Sequence, residues 1–334
     1  MTTEQFNRRY LYLRRLIDAR LVSGLKNSEP RDLMQGSRYV LAAPGKRVRP
    51  ILMILSCEAV GGRVKDAIDA AVAIEMLHNF TLVHDDVMDN APSRRGRATV
   101  HTKWNLNNAI LVGDVILGLA YRTFLKSKTN NIRRATEIFT ESFIEVCEGQ
   151  AFDLEYEHRP NISPREYSRM ISKKTGKLIA SATELGAILG NATPKQTEAL
   201  RSFGRHVGRA FQIQDDLLDV VANEKDLGKK IGGDIVEGKT TFLLVHALRR
   251  SRGAEKARLR KLTTRRATPV AFRHQRQLVK EVTSIYERSG AIEAGRTQIR
   301  QETVAGVSAL DALAPSNSRA MLEWVSAMLV RRTY

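Results

Sequence analysis

A chain of 334 residues, 43% of them hydrophobic and with glycine and proline spread thinly, can bury a large core, which excludes disorder as its main state. Its two cysteines, Cys57 and Cys147, sit in no CxxC or Cys/His cluster. That excludes a disulfide framework or a zinc site and fits a reducing cytoplasm. The net charge of +18 favours polyanions or membrane surfaces, but no aromatic interleaving accompanies it, so no nucleic-acid partner is expected.

From the N-terminus, Leu11, Leu13, Ile17 and Leu21 form an apolar stripe at helical spacing. Arg8, Arg9, Arg14 and Arg15 interrupt that stretch, so it predicts an amphipathic helix and not a signal peptide. Breakers follow at Ala43-Pro44-Gly45 and Gly61-Gly62, on either side of the short apolar run Ile51 to Leu55. Ala70, Ala73, Ile74 and Leu77 mark the next helix, which runs into an acidic cluster before the break at Ala91-Pro92-Ser93. Neither Ile51 to Leu55 nor Val115 to Ala120 approaches the length of a membrane span. Past Arg159-Pro160, a stripe of Leu178, Ala182, Leu185 and Leu189 predicts another helix, closed by Asn191 to Pro194, and a further break comes at Gly232-Gly233. From 249 to 276 the chain carries eleven Lys and Arg against Glu255. A solvated helix connection is the first reading of that segment, and peripheral contact with an anionic membrane the second. The β-branched residues fall inside helical patterns, so the prediction is all-α, a single domain over 1–334 with about ten helices, located in the cytoplasm.

Two clusters carry the chemistry. In His84-Asp-Asp-Val-Met-Asp-Asn90, Asp85 and Asp89 share one helix face and Asp86 stands beside them. Phe211-Gln-Ile-Gln-Asp-Asp-Leu-Leu-Asp219 repeats the spacing with Asp215, Asp216 and Asp219. A single DDxxD arises readily on a solvated face. Two copies set among Leu, Val, Ile and Phe call for cations, because unpaired carboxylates are costly to bury. Mg²⁺ suits them, since it takes one or two carboxylates and completes its octahedron with water and phosphate oxygens. Cations lie close by in sequence: Lys46, Arg47 and Arg49 after a Pro-Gly break, Arg94 and Arg95, Lys173 and Lys174, Lys229, and Lys239. Each alone reads as ordinary surface charge. Around acidic motifs and helix breaks they are the residue types a diphosphate site needs.

The order GKRVRP, His78, DDVMD, RRG, GQAFD, KTG, FQIQDDLLD, LGKKIGGD, GKTT resembles the polyprenyl synthetase family, the trans-isoprenyl diphosphate synthases, over almost the whole chain. The resemblance implies a helical bundle of about ten or more helices around a deep central cavity, paired as a homodimer. It implies joining of isopentenyl diphosphate to an allylic diphosphate (dimethylallyl, geranyl or farnesyl) by ionisation, condensation and elimination, with three Mg²⁺ ions when substrate is bound. Asp85, Asp86, Asp89, Asp215, Asp216 and Asp219 then correspond to the metal motifs, and Arg94, Lys174, Lys229 and Lys239 to residues gripping the allylic diphosphate. Gly45, Lys46, Arg49, His78 and Arg95 match the isopentenyl diphosphate pocket. Thr175 and Gln212 match positions beside the developing allylic cation. Gln150 and Asp153 match a family motif with no chemistry assigned.

Three other readings compete. A class I terpene cyclase shares the fold, but its second metal motif mixes Asn, Ser or Thr with acids, whereas this one reads DDLLD. A regulatory subunit of a synthase heteromer tends to lose acids from one motif, and both are complete here. A basic anion-binding scaffold is the third. Chain length is expected to be set below Asp85, where Phe80 stands about 7.5 Å down the helix axis, with Thr81 and Leu77 beside it. By family pattern an aromatic five positions before the first aspartate marks short-chain enzymes. Thr81 leaves more room than a second aromatic would. The expected product is C20 geranylgeranyl diphosphate, with C15 farnesyl and C25 or longer products as the alternatives.

Overall fold

The computed structural model describes residues 2–23, 25, 29–157, 159, 161–222, 231–263 and 272–331, and the described residues divide into two compact units. The first runs through Phe143 and takes in Ser181–Arg201 and Ala312–Trp324; the second is Ile144–Ala180, Ser202–Asp311 and the residues from Val325 onward.

In the first unit α1 (Thr3–Ser23), α2 (Arg31–Leu41) and α3 (Val48–Ala59) lead to α4 (Val64–Met88). The stripe of α1 that enters the core is Tyr10, Leu13, Ile17 and Leu21, while Leu11 stays exposed. The expected stripe was therefore one position off at its start, because a tyrosine ring with a bonded hydroxyl fills the first slot. Helix α4 is buried on every side from Ala67 to Leu77 and packs on α1, α2, α3 and α6 (Leu106–Phe124). Alanines at 67, 70, 71 and 73 let neighbouring helices approach it closely. One contact with α6 is tighter still: a Cβ at Gly113 would lie 2.2 Å from Nε2 of His84, so only glycine fits where α6 crosses the end of α4. That crossing fixes the helix turn that carries the first acidic motif.

Between α4 and α5 (Val100–Lys103) the chain makes a hairpin of β1 (Ser93–Arg94) and β2 (Arg97–Ala98), paired antiparallel with Arg94 opposite Arg97. Sequence patterning shows only a break there. Arg95 and Gly96 take positive φ of 53° and 72° at its tip.

Helix α7 (Ile132–Tyr156) leads into the second unit. Helix α8 (Pro164–Ile171) opens on a capping box: Glu166 N donates to Ser163 Oγ at 3.2 Å and Ser163 N to the Glu166 carboxylate at 2.9 Å. A π-helical turn over Ser172–Gly176 joins α8 to α9 (Lys177–Leu189), and α10 (Pro194–Val221) follows. Then come α11 (Gly233–Glu237), α12 (Phe242–Arg250), α13 (Gly253–Thr263), α14 (Phe272–Arg288), α15 (Ala291–Ala309) and α16 (Asn317–Arg331). The core of this unit gathers Tyr167, Met170, Ile213, Leu217, Leu243, Leu244, Val282 and Ile285. No helix among the described residues is long and apolar enough to cross a membrane.

Candidate active site

In the first unit the α4 sequence ends where its acids begin to face solvent. Asp85 is half-exposed, Asp89 exposed and Asp86 buried. Arg94, on the hairpin, donates from Nε to Asp86 Oδ1 at 2.6 Å. Burial raises the Asp86 carboxyl above its usual range while the Arg94 charge opposes that rise. The middle acid thus pins the hairpin, and the two outer acids remain accessible at the helix end.

Beside them lies a cluster of cations. The loop before α3 is held through three carbonyls: Tyr10 Oη donates to Lys46 O at 2.5 Å, Arg95 Nη1 to Pro44 O at 3.0 Å and Arg47 Nη2 to Ala43 O at 2.6 Å. Lys46 is exposed and Arg49 half-buried. His78, two turns before the acids on α4, is half-buried and held far below the ordinary histidine range. Desolvation is the largest cause, followed by the charges of Arg49, Arg95, Arg94 and Arg47. A neutral imidazole among arginines offers one N–H donor to an anion without adding charge. Gly45, Lys46, Arg49, His78 and Arg95 are therefore gathered in one unit. Arg47, read from sequence as one more cation of the same cluster, turns inward instead and is 3% exposed.

In the second unit the π turn presents the KKTG residues. A Cβ at Gly149 on α7 would lie 2.2 Å from Lys174 N, and one at Gly208 on α10 would lie 2.7 Å from Gly176 Cα. Two glycines thus clasp the turn on both sides. Lys174 Nζ donates to Asp153 Oδ2 at 2.6 Å, whereas Lys173 pairs with Glu145 and Glu148. Thr175 Oγ1 donates to Gln212 Oε1 at 2.7 Å, and Gln212 Nε2 donates to Asp216 Oδ1 at 2.9 Å. Asp216 Oδ2 accepts from Tyr167 Oη at 2.7 Å and from Phe242 N at 2.8 Å. Burial pushes the Asp216 carboxyl up to about 6 in spite of these donors. Asp219 is fully buried and accepts from Asp234 N at 2.9 Å, while Asp215 is half-exposed. Lys239 lies within 4.0 Å of Asp234 and pairs with Glu237 at 2.5 Å. Lys229 lies outside the described residues, as does the middle of the basic 249–276 stretch.

Residues 30–282 match the family described as Polyprenyl synthetase. The chain belongs to that family. Among relatives of this polyprenyl synthetase, a short chain isoprenyl diphosphate synthase of Methanothermobacter thermautotrophicus is 38% identical over 320 residues, covering 96% of each chain. A geranylgeranyl diphosphate synthase of Methanosarcina mazei is 41% identical over 69% of this chain and 72% of its own. The crystal structure of geranylgeranyl pyrophosphate synthetase from Pyrococcus horikoshii superposes with a TM-score of 0.92 at 36% identity, covering 98% of both chains. The all-α fold and the trans-prenyltransferase activity expected from the motifs follow from this membership.

The polyprenyl synthetase also has site residues that the motif reading left without roles. Asp153 is the partner of Lys174, and Tyr167 is a donor to Asp216. Gln150 is 7% exposed, and neither atom of its amide has a hydrogen-bond partner among the described residues. The GQAFD spacing placed Gln150 and Asp153 three residues apart on one helix face, which was the available signal. The pairing of Asp153 with Lys174 is set by packing and not by spacing.

Proposed function

We propose that this trans-prenyltransferase condenses isopentenyl diphosphate with allylic diphosphates in a Mg²⁺-dependent reaction, acting as a single domain, and that its main product is all-trans C20 geranylgeranyl diphosphate. The observation that carries this reading is the cluster of Arg49 and Arg95 around His78, with Arg95 bonded to the Pro44 carbonyl of the loop that bears Gly45 and Lys46, a group of cations set apart from the more exposed acids of the first motif. Such a cluster suits a second diphosphate that is held without metal.

The acids fit Mg²⁺. This ion takes one or two carboxylates and completes its octahedron with water and phosphate oxygens. Asp85 and Asp89 in the first unit and Asp215 in the second are the more exposed acids of their motifs and are assigned to Mg²⁺, while Asp86, Asp216 and Asp219 are more buried and accept from Arg94, Tyr167, Phe242 N and Asp234 N. Bound metal supplies neutralisation of charge growing on the departing diphosphate. Arg94, Lys174, Lys229 and Lys239 grip the same group. Thr175 donates a hydrogen bond to Gln212, which leaves its oxygen lone pairs available to stabilise the positive charge that develops as the allylic C–O bond breaks. Lys46, Arg49, His78 and Arg95 orient isopentenyl diphosphate, whose double bond attacks the cation to form the new C–C bond. Loss of a proton to the released diphosphate restores an allylic product.

Phe80 is 6% exposed and packs edge-on against His84 and Phe143 at 4.6 and 5.6 Å between centroids. Leu77 is fully buried and Thr81 half-buried, its hydroxyl bonded to His78 O at 2.8 Å. A braced aromatic of this kind supports its assignment as the floor for the growing chain. The purified chain, given isopentenyl diphosphate with each of dimethylallyl, geranyl and farnesyl diphosphates, is expected to release C20 product, and EDTA to abolish turnover. A requirement for a second chain would favour the heteromer subunit, and C15 or C25 product would correct the assigned length. Phe80→Ala is expected to extend the product beyond C20; an unchanged profile in the folded variant would place the floor elsewhere.

A homodimer is part of the same reading. Helix α6 leaves Leu106, Ile110 and Leu111 exposed, and Leu111, Val115, Gly118 and Leu119, with Asp114 and Arg122, line a groove along it. Such a face is what a second copy would cover.

A further inference from the structure

Arg47 occupies the centre of the GKRVRP loop and does not face the pocket. Its guanidinium side chain is 2% exposed. Nε donates to Asp18 Oδ1 on α1 at 2.7 Å, Nη1 to Glu75 Oε1 on α4 at 2.9 Å and Nη2 to Ala43 O at 2.6 Å. Glu75 is equally buried and lies three residues before His78 on the same helix. Arg47 also takes φ of 53°, a left-handed conformation that a non-glycine residue keeps only when its surroundings enforce it. The adjacent backbone is packed against its head group, since a Cβ at Gly45 would meet Arg47 Nη1 at 2.8 Å and Arg95 Nη1 at 3.1 Å.

A buried ion pair is a poor device for stability alone, because two charges lose their water for an attraction that well-packed apolar side chains replace. It is a good device for fixing a register between two elements. We propose that the Arg47–Glu75 pair, with Asp18 behind it, is the positioning device that sets Lys46 and Arg49 against His78 and thereby fixes the affinity for isopentenyl diphosphate. The pair binds no substrate itself. It ties the loop bearing two cations of the pocket to the helix bearing the histidine, and the strained φ at 47 makes that tie directional. This rests on the reading that Lys46, Arg49, His78 and Arg95 hold isopentenyl diphosphate.

The test separates the two ideas. Arg49→Ala probes the pocket, and the double variant Arg47→Met/Glu75→Leu removes the pair without leaving a buried charge alone, so the fold is retained. Glu75→Asp keeps both charges and withdraws the carboxylate by one methylene, which covers the case in which the double variant does not fold. KM is measured separately for isopentenyl diphosphate and for the allylic substrate, alongside thermal melting. The pair variants are expected to raise the isopentenyl diphosphate KM about ten- to a hundredfold, as displacement of a positioned group by an ångström does, with the allylic KM and the melting curve of the folded protein unchanged. If Arg49→Ala raises that KM and the folded pair variants do not, the pair is structural only and the proposal fails. If both KM values rise together, it fails as well. If Arg49→Ala leaves the isopentenyl diphosphate KM unchanged, the pocket assignment itself falls and the proposal with it.

Discussion

Asp216 has its carboxylate occupied by three protein donors, yet burial outweighs them and pushes its carboxyl up to about 6. Its folded value lies above the unfolded value of about 3.9. The contribution to stability is therefore fully present below about pH 4 and is lost as the pH rises through about 6. At neutral pH the folded protein carries a buried charge at a cost of about 3 kcal/mol, an order-of-magnitude figure for a shift of two units. Asp216→Asn in EDTA is expected to flatten the fall in melting temperature between pH 4 and 6 relative to the parent. Parallel pH profiles by calorimetry would show that the carboxyl is not the group concerned. The same residue illustrates what motif spacing conveys. The i, i+1, i+4 pattern placed six acids in two clusters, but it could not tell the accessible ones from those that hold the scaffold. Tyr167 and Phe242 N, which make that difference, come from α8 and α12.

At the scale of elements, the π turn between α8 and α9 positions Lys174 and Thr175. Its clasp by Gly149 and Gly208 leaves no room for a methyl group. Gly149→Ala is expected to destabilise the protein by about 1–3 kcal/mol through overpacking, and to weaken allylic binding because the atom it strikes is the backbone nitrogen of Lys174. Urea unfolding and the allylic KM measure the two effects; a parental value of both would mean that the turn yields without consequence. Helices, breaks and the all-α class were legible in the sequence because apolar residues recur at 3.6-residue spacing and Gly and Pro interrupt them. The π turn was not, since SKKTG reads as an unbroken continuation of its neighbouring helices. The inward turn of Arg47 was equally hidden, for it depends on Asp18 and Glu75, which are 29 and 28 residues away.

For the whole molecule, the net charge of +18 and the apolar face of α6 point to different partners. Part of the basic excess is matched inside the second unit, where Arg258 pairs with Glu281 and Arg288 with Glu255. The α6 face has no such internal match, with Leu111 51% exposed. In a two-fold dimer each substitution acts twice, so Leu111→Glu with Leu119→Glu is expected to shift the protein from dimer to monomer in light scattering while its helical circular dichroism is retained. A parent protein that is already monomeric, or a double variant that remains dimeric, would remove α6 from the interface.

A π turn holds one residue more than the α-helical turn it replaces, and this sets the tolerance of the segment to insertion and deletion. Losing any one residue from Ser172–Gly176 would close the wide turn into ordinary helix, so the side chains within it would point in new directions while the flanking helices keep their phase. Lys174 would leave Asp153 and Thr175 would leave Gln212 together. Point substitutions in this stretch can be graded, whereas a change in its length acts on the whole constellation at once. Five residues near the middle of the chain are therefore a fixed count for the pairing of Lys174 with Asp153 and of Thr175 with Gln212.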